Sequence, residues 1–557
     1  MTIFFNTFLI CFLYYIIGQS YINLKNNFSN CCLLIINGAI ILSFVALFLN
    51  FFLKLDLFEN TIIFTLAIIY AFYKNSFNKI INIKNLKSLI LISLFATILI
   101  ILSDSNRPDS GLYHFPFIKL LNDEKIIVGL TNINSRFGTI SIIQYLQAIS
   151  NNFLTKNNGM LLPLSIIPSA IYLYFYSEIN LQLKKQSVNN KIYLLFLFFS
   201  FIFFSFKMNR YGEYGNDYIP HFLVFFLLSL ILKYKNKIKI SNVYFYSTFI
   251  FLNKIIFLPI FLFAIIILKF NFKKKNIFNK KIFFVTFVLL LWILKNILHS
   301  GCLFWPIEKS CIQDLSWFNK DINSTQHVSK LSAANEAWSK AWPDQKTKVE
   351  TFDEYINGYK WINVWLSKHG KKIFKILLIY VSITIIISFF LKKNSNAILN
   401  KNISNSSKNE LITYISIFAL SSVIWFLKFP VYRFGISNLI LSLILLLILF
   451  NNRIDFNKKN IKLVKYISIL CITIFISKNM LKLQNYNVNY KNHPWPKYYS
   501  FDKKNEEIDL FKVKLFDKFS HYRANGLCMY SKSPCTHEKV SKLLNIKKKY
   551  SYKIYYF

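Results

Sequence analysis

The stretch CCLLIINGAIILSFVALFLNFFL, Cys31 to Leu53, is an unbroken apolar run long enough to cross a bilayer. Working outward from it, similar runs recur along the whole chain. They lie at about 3–17, 31–53, 59–73, 88–102, 160–177, 192–206, 218–232, 242–252, 255–268, 282–298, 373–391, 411–427, 435–450 and 465–477. The composition agrees: 54% hydrophobic residues, with 59 Phe and 33 Tyr, is too apolar for a water-soluble chain of 557 residues. The expected fold class is an all-α polytopic membrane protein with about 13–14 transmembrane helices. The pair 242–252 and 255–268, split by Asn253 and Lys254, reads either as a half-membrane hairpin or as one long broken helix. The first run lacks a basic start and a small-residue cleavage site, so a retained helix is expected rather than a cleaved signal peptide.

The formal charge of +42 does not point to nucleic acid. A nucleic-acid surface gathers its cations on one face. Here they sit in short clusters between apolar runs, as membrane-orientation signals do. One set of loops is lysine-rich and nearly free of acids: 74–87, 184–191, 233–239, 269–281, 392–408 and 453–462. The positive-inside rule puts these loops in the cytoplasm and the carboxylate-bearing ones outside. The alternation holds only if 138–153, GTISIIQYLQAISNNF, does not span. It is expected as an amphipathic helix in the outer interface.

The outer segments carry the residues that can do chemistry. Asp104 and Asp109 follow the run ending near residue 102, with Tyr113, His114 and Arg136 close behind. A carboxylate at a membrane boundary can take a proton from a substrate hydroxyl or hold a divalent metal ion, the one candidate cofactor. NRYGEYGNDYIPH, Asn209 to His221, offers Arg210, Glu213, Asp217 and His221 around two glycines. It reads as a solvated re-entry turn or as a phosphate-binding polar cavity. Arg433, in PVYRFG, and Lys254 sit at starts of apolar runs, where a cation either snorkels to the surface or finds an anion.

The long loop 300–371 holds Trp305, Trp317, Trp338, Trp342, Trp361 and Trp365, a headgroup belt or a stacking surface for sugar. Cys302 with Cys311 and Cys528 with Cys535 are local pairs that an oxidising compartment permits as disulfides. Zinc at Cys528, Cys535 and His537 is the less favoured alternative. No Walker loop, dinucleotide-binding glycine pattern or HExxH occurs. Three regions result: N-terminal helices over 1–87; a core over 88–478 with external loops 103–159, 207–217, 300–371 and 428–434; and an external tail over 479–557.

The block DSGLYHFPFIKLLNDEKIIVGLTNINSRFG, with RYGEYGND, SGCLFWPIEKSC and PVYRFG, is similar to segments of a largely uncharacterised group of bacterial membrane proteins. An apolar span followed outside by an acid and an interfacial helix also resembles the first external loop of GT-C superfamily glycosyltransferases. The GT-C resemblance implies an inverting transferase in the bacterial inner membrane, with its active face outward. It implies a polyprenyl-phosphate sugar donor and a glycan, lipid or protein acceptor. Asp104 or Asp109 matches the place of that superfamily's base, and Arg136, Arg210 and Arg433 match its cations on the lipid phosphate; from the chemistry of the loops themselves, His114 joins the catalytic candidates and Tyr113, Glu213, Asp217 and Lys254 the substrate-binding ones. Asp104 and Asp109 stand apart where that superfamily has paired acids. A transporter or flippase for a lipid-linked or anionic solute is the alternative.

Overall fold

A computed structural model describes residues 2–22, 24, 27–74, 82–101, 109–184, 191–207, 217–270, 279–322, 324, 326–342, 351–391, 405–450, 456–485, 510–515, 519–524 and 528–557. In chain order the helices are α1 (Thr2–Tyr21), α2 (Phe28–Asn50), α3 (Leu57–Tyr73), α4 (Ile83–Ile101), α5 (Phe115–Asp123), α6 (Ile142–Ile149), α7 (Pro163–Lys184), α8 (Lys191–Lys207), α9 (Tyr218–Tyr234) and α10 (Ile240–Asn253). They continue with α11 (Phe261–Phe270), α12 (Lys280–Ser300), α13 (Val328–Ser339), α14 (Phe352–Asn357), α15 (Trp361–Trp365), α16 (Lys371–Leu391), α17 (Asn405–Lys428), α18 (Tyr432–Phe450) and α19 (Lys458–Asn485).

The expected apolar runs coincide with helices to within a few residues, the run 255–268 entering α11 through a 3-10 turn. Among the described residues, eight helices are long and apolar enough to cross a membrane: α1, α2, α4, α12, α15 continued through α16, α17, α18 and α19. Four shorter apolar helices join them, at Leu57–Ala71, Lys191–Phe206, Tyr218–Tyr234 and Ile255–Lys269. The chain is therefore a multi-pass, helical membrane protein.

Burial divides the helices into two kinds. Helix α2 is enclosed on nearly every side, from Cys31 to Leu47. Helices α12, α16, α17 and α19 instead expose Phe283, Leu290, Phe374, Phe389, Leu420 and Leu470. An apolar perimeter of this kind suits lipid and would be a liability in water. The Glu178 carboxylate of α7 is buried against Lys233 at 2.8 Å and the Tyr193 hydroxyl at 3.0 Å. The long non-spanning stretches 109–162 and 301–342 pack on one another at a loop-rich end of the bundle, where Trp305 donates to the Ser135 carbonyl at 3.0 Å and Asn132 to the Trp317 carbonyl at 2.9 Å.

Two local expectations are resolved here. Lys254 adopts an extended backbone between α10 and a 3-10 turn at Ile255–Ile260, and Phe251 packs against Phe261 with ring centroids 5.4 Å apart. The broken span is thus a short hairpin with Lys254 at its tip. The segment 138–153 is a correction. Only Ile142–Ile149 is α-helical, and all eight of its residues are buried within the protein rather than lying in an interface. Its two glutamines bond inward: Gln144 Oε1 accepts from the Ser141 amide at 2.9 Å, and Gln147 donates to the Met160 carbonyl at 2.9 Å. A short irregular stretch is tolerated at membrane depth when protein surrounds it, and this removes any need for a lipid-facing side.

The tail is part of the loop-rich end. Strands β1 (Leu510–Leu515), β2 (Phe519–Ala524) and β3 (Cys535–Thr536) form one small sheet, with β1–β2 antiparallel and β2–β3 parallel. Strands β4 (Asn545–Lys549) and β5 (Tyr552–Tyr556) form a hairpin turned by Tyr550 and Ser551, both at positive φ. Val128 bonds β5 through its amide to the Lys553 carbonyl and its carbonyl to the Tyr555 amide, at 3.0 and 2.9 Å. The Met529 amide reaches the Gly111 carbonyl at 2.9 Å, and Glu538 accepts from both the amide and the hydroxyl of Ser135. These contacts clamp the segment from Asp109 to Gly138 that carries the candidate site. Both expected disulfides are formed, Cys302–Cys311 and Cys528–Cys535.

Candidate functional site

Asp109 stands at the head of a π-turn, Ser110–His114, that runs directly into α5. Pro116, at the second position of α5, has no amide to donate back into this turn, and the Gly111 carbonyl there accepts instead from the Met529 amide at 2.9 Å. The turn leaves the Asp109 carboxylate free of capping duty, and two guanidiniums take it. Arg136 Nη1 approaches Oδ1 at 3.3 Å and Arg433 Nη1 donates to Oδ2 at 3.0 Å. Arg433 lies in the first turn of α18, 324 residues beyond Asp109.

The pairing continues inward. Arg433 Nε lies 3.6 Å from Asp217 Oδ2, and the other Asp217 oxygen accepts from Lys254 at the tip of the α10–α11 hairpin. Phe434 underlies both cations, with Lys254 Nζ 4.0 Å and Arg433 Cζ 5.2 Å from its ring centroid. Arg433 also lies 5.4 Å from the ring of Trp338, whose side chain is 54% exposed at the rim. Arg136 lies over Tyr113 at 5.2 Å. His221 holds this arrangement from below. Its ring bonds the Arg433 carbonyl at 2.8 Å and the Ser437 hydroxyl at 2.7 Å.

Electrostatics separates the Asp217 carboxylate from the His114 imidazole. Burial alone would raise the Asp217 pKa, but Lys254 and Arg433 outweigh it and hold the carboxyl at about 2. Asp217 therefore stays ionised and serves to seat cations. Burial pulls His114 down to about 4, with Asp217 and Asp109 opposing and Lys254 reinforcing. Burial lowers Lys254 as well, against the pull of Asp217. The His114 tautomer follows from its neighbour. The oxygen of Gln144 is committed to the Ser141 amide, so its Nε2 donates to His114 Nδ1 at 3.1 Å. A neutral His114 with its proton on Nε2 suits hydrogen-bond donation better than proton removal.

Seven of the expected site residues thus come together from five separate parts of the chain: Asp109, Tyr113, His114, Arg136, Asp217, Lys254 and Arg433. Asp104, Arg210 and Glu213 lie outside the described residues. Gln144, Trp338, Phe434 and Ser437 belong to the site without having been singled out. Trp338 had been noted only within a general density of Trp, and Gln144 was hidden in an apolar segment. Among the described residues, no group of three or more His, Cys, Asp and Glu side chains is placed to hold a metal ion. The two site carboxylates are instead each saturated by organic cations.

Residues 1–440 match the model of a family described as a Domain of unknown function (DUF8201). The chain belongs to the DUF8201 family. Every residue of the site falls within the matched segment, whereas the C-terminal clamp over 528–557 of this DUF8201 member lies beyond it. No curated protein and no solved structure matches the chain.

Proposed function

We propose that the chain is a membrane transferase that moves a sugar from a polyprenyl-phosphate donor to a cell-surface acceptor at its loop-rich face. That face is taken as the outer side of a bacterial inner membrane, opposite the lysine-rich loops. The observation that carries this reading is the five-residue ion cluster of Asp109, Asp217, Arg136, Arg433 and Lys254, gathered where the helices leave the apolar layer. Among the described residues, three cations against two carboxylates leave one positive charge in a half-buried site beside an exposed indole. This suits a lipid-linked phosphate lying at the membrane surface, with its sugar against Trp338.

In this account the donor phosphate exchanges into the cluster. It draws Arg433 and Arg136 from Asp109, and the released carboxylate faces the acceptor hydroxyl. The acceptor oxygen bonds to the anomeric carbon as the bond from that carbon to the phosphate oxygen breaks. The hydroxyl proton passes to Asp109, and polyprenyl phosphate leaves with the negative charge held by Arg433 and Lys254. His114 donates from Nε2 to a sugar or phosphate oxygen. No nucleotide is needed, because the lipid phosphate is itself the leaving group.

Export of a lipid-linked or anionic solute is the second reading, and one observation favours it: Lys295, in the last two turns of the span α12, is fully buried inside the protein. The two readings separate in proteoliposomes loaded with a polyprenyl-phosphate sugar on one leaflet. Transfer predicts release of free polyprenyl phosphate that depends on an added acceptor. Movement of intact donor between leaflets with no release would replace the transferase reading by the transporter.

A further inference from the structure

Among the described residues, Lys295, His299 and Tyr145 lie in one stretch of the interior, and each leaves a buried polar atom without a partner. Lys295 of α12 is fully buried, and its Nζ lies 3.7 Å from the centroid of the Trp292 ring with no hydrogen bond to any protein atom. His299, one turn further on the same helix, is buried with Nδ1 unpartnered. Tyr145 of α6 is buried with its hydroxyl unpartnered. Shared rings tie the three together: Tyr145 stands edge-on to Trp292 at 6.3 Å and to Phe117 at 6.1 Å, and Phe117 stands edge-on to His299 at 6.2 Å.

These side chains are not needed to close the helix end. Gly129 donates to the Leu298 carbonyl at 2.7 Å, Thr131 to the His299 carbonyl at 3.1 Å, and Trp317 to the Ile297 carbonyl at 2.8 Å. The backbone is therefore satisfied by other groups, and the Lys295, His299 and Tyr145 side chains are left over. An ammonium buried without a carboxylate is costly, as is each orphaned polar atom. Ammonium, imidazole N–H and phenol O–H are together a donor set for an anion.

We propose that Lys295, His299 and Tyr145 form a second, interior site that binds a small anionic group, phosphate or carboxylate, within the last two turns of α12. This site stands independently of the transferase reading. Helix α6 serves both places: Gln144 bonds His114 beside the ion cluster, while Tyr145 packs against Trp292 and against Phe117, which meets His299.

The test is thermal unfolding of the purified full-length protein in detergent, in an Arg433→Gln background that weakens the first site. Sodium phosphate, sodium acetate and a long-chain alkyl phosphate are titrated against matched sodium chloride. A rise in Tm with an anion that disappears in Lys295→Met supports the site. A response to alkyl phosphate alone assigns the source as a lipid, and a response to phosphate or acetate assigns a free anion. Tyr145→Phe removes one donor and keeps the ring, so the apparent affinity should fall about fivefold, the loss of one hydrogen bond. The proposal is overturned if no anion acts beyond chloride, or if Lys295→Met responds like its parent. Should Lys295→Met not fold, an unchanged response in Tyr145→Phe overturns it equally.

Discussion

Two Arg-Phe-Gly triplets, Arg136–Gly138 and Arg433–Gly435, meet at one carboxylate, and each is built against a tryptophan. A Cβ on Gly138 would lie 2.2 Å from the Trp305 ring, and one on Gly435 2.4 Å from the Trp425 ring. Each indole N–H then donates to a carbonyl just before its triplet, Trp305 to Ser135 at 3.0 Å and Trp425 to Val431 at 2.9 Å. The triplets differ in what surrounds the arginine. Arg136 sits in a 3-10 turn with its side chain 46% exposed and makes one long ion pair. Arg433 starts a helix, is 28% exposed, touches two carboxylates and has its own carbonyl held by His221. The same local device therefore yields one loosely held rim cation and one fixed inner cation, and burial decides which carries the site.

The largest effect should come from Arg433→Gln. It leaves Asp109 and Asp217 short of charge in a half-buried place, so we expect a loss of about 3 kcal/mol in unfolding free energy together with loss of transfer. Chemical unfolding in detergent and the proteoliposome assay check this, and a stability loss no greater than that of Arg136→Gln would erase the distinction between the triplets. Gly435→Ala comes next. Overpacking against the fixed Trp425 ring should cost about 2 kcal/mol, and Gly138→Ala should cost a similar amount. Comparing the melts of the two alanine variants shows whether the tryptophan supports are equivalent.

A pH titration sharpens the comparison on the inner side. Asp217 is held at about 2 against an unfolded value near ~4, so its contribution is full above the unfolded value and is lost as pH falls through about 2. His114, held at about 4 in the fold, likewise stabilises above its unfolded value of ~6.5 and loses that contribution as pH falls to about 4. Asp217→Asn should flatten the lower part of the acid-unfolding curve, and His114→Gln the upper part. Arg136→Gln should change stability least, by about 0–1 kcal/mol, as exposed ion pairs do. Its mark should be weaker donor binding at high salt rather than a lower melting temperature.

The helices were legible because apolar runs of membrane length have few other uses. Asp109, Arg136, Asp217, Lys254 and Arg433 were legible as charged residues at the ends of such runs. Their pairing was not, since Lys254 with Asp217 and Arg433 with Asp109 are brought together by the packing of distant helices. Residues 138–153 looked interfacial because counting them as a span would put every later loop on the wrong side of the charge rule. That rule does not reveal that Gln144 and Gln147 bond inward. Lys295 was invisible for a related reason: a single lysine near the end of an apolar helix looks like one that reaches for the surface, and only the fold shows it turned inward.

The most direct test of the central claim is mass spectrometry of surface glycans from cells with the wild-type protein, with none, and with a stably expressed Asp109→Asn variant. The account predicts loss of the same defined sugar unit in the deletion and in the variant. An unchanged glycan profile in both would contradict it.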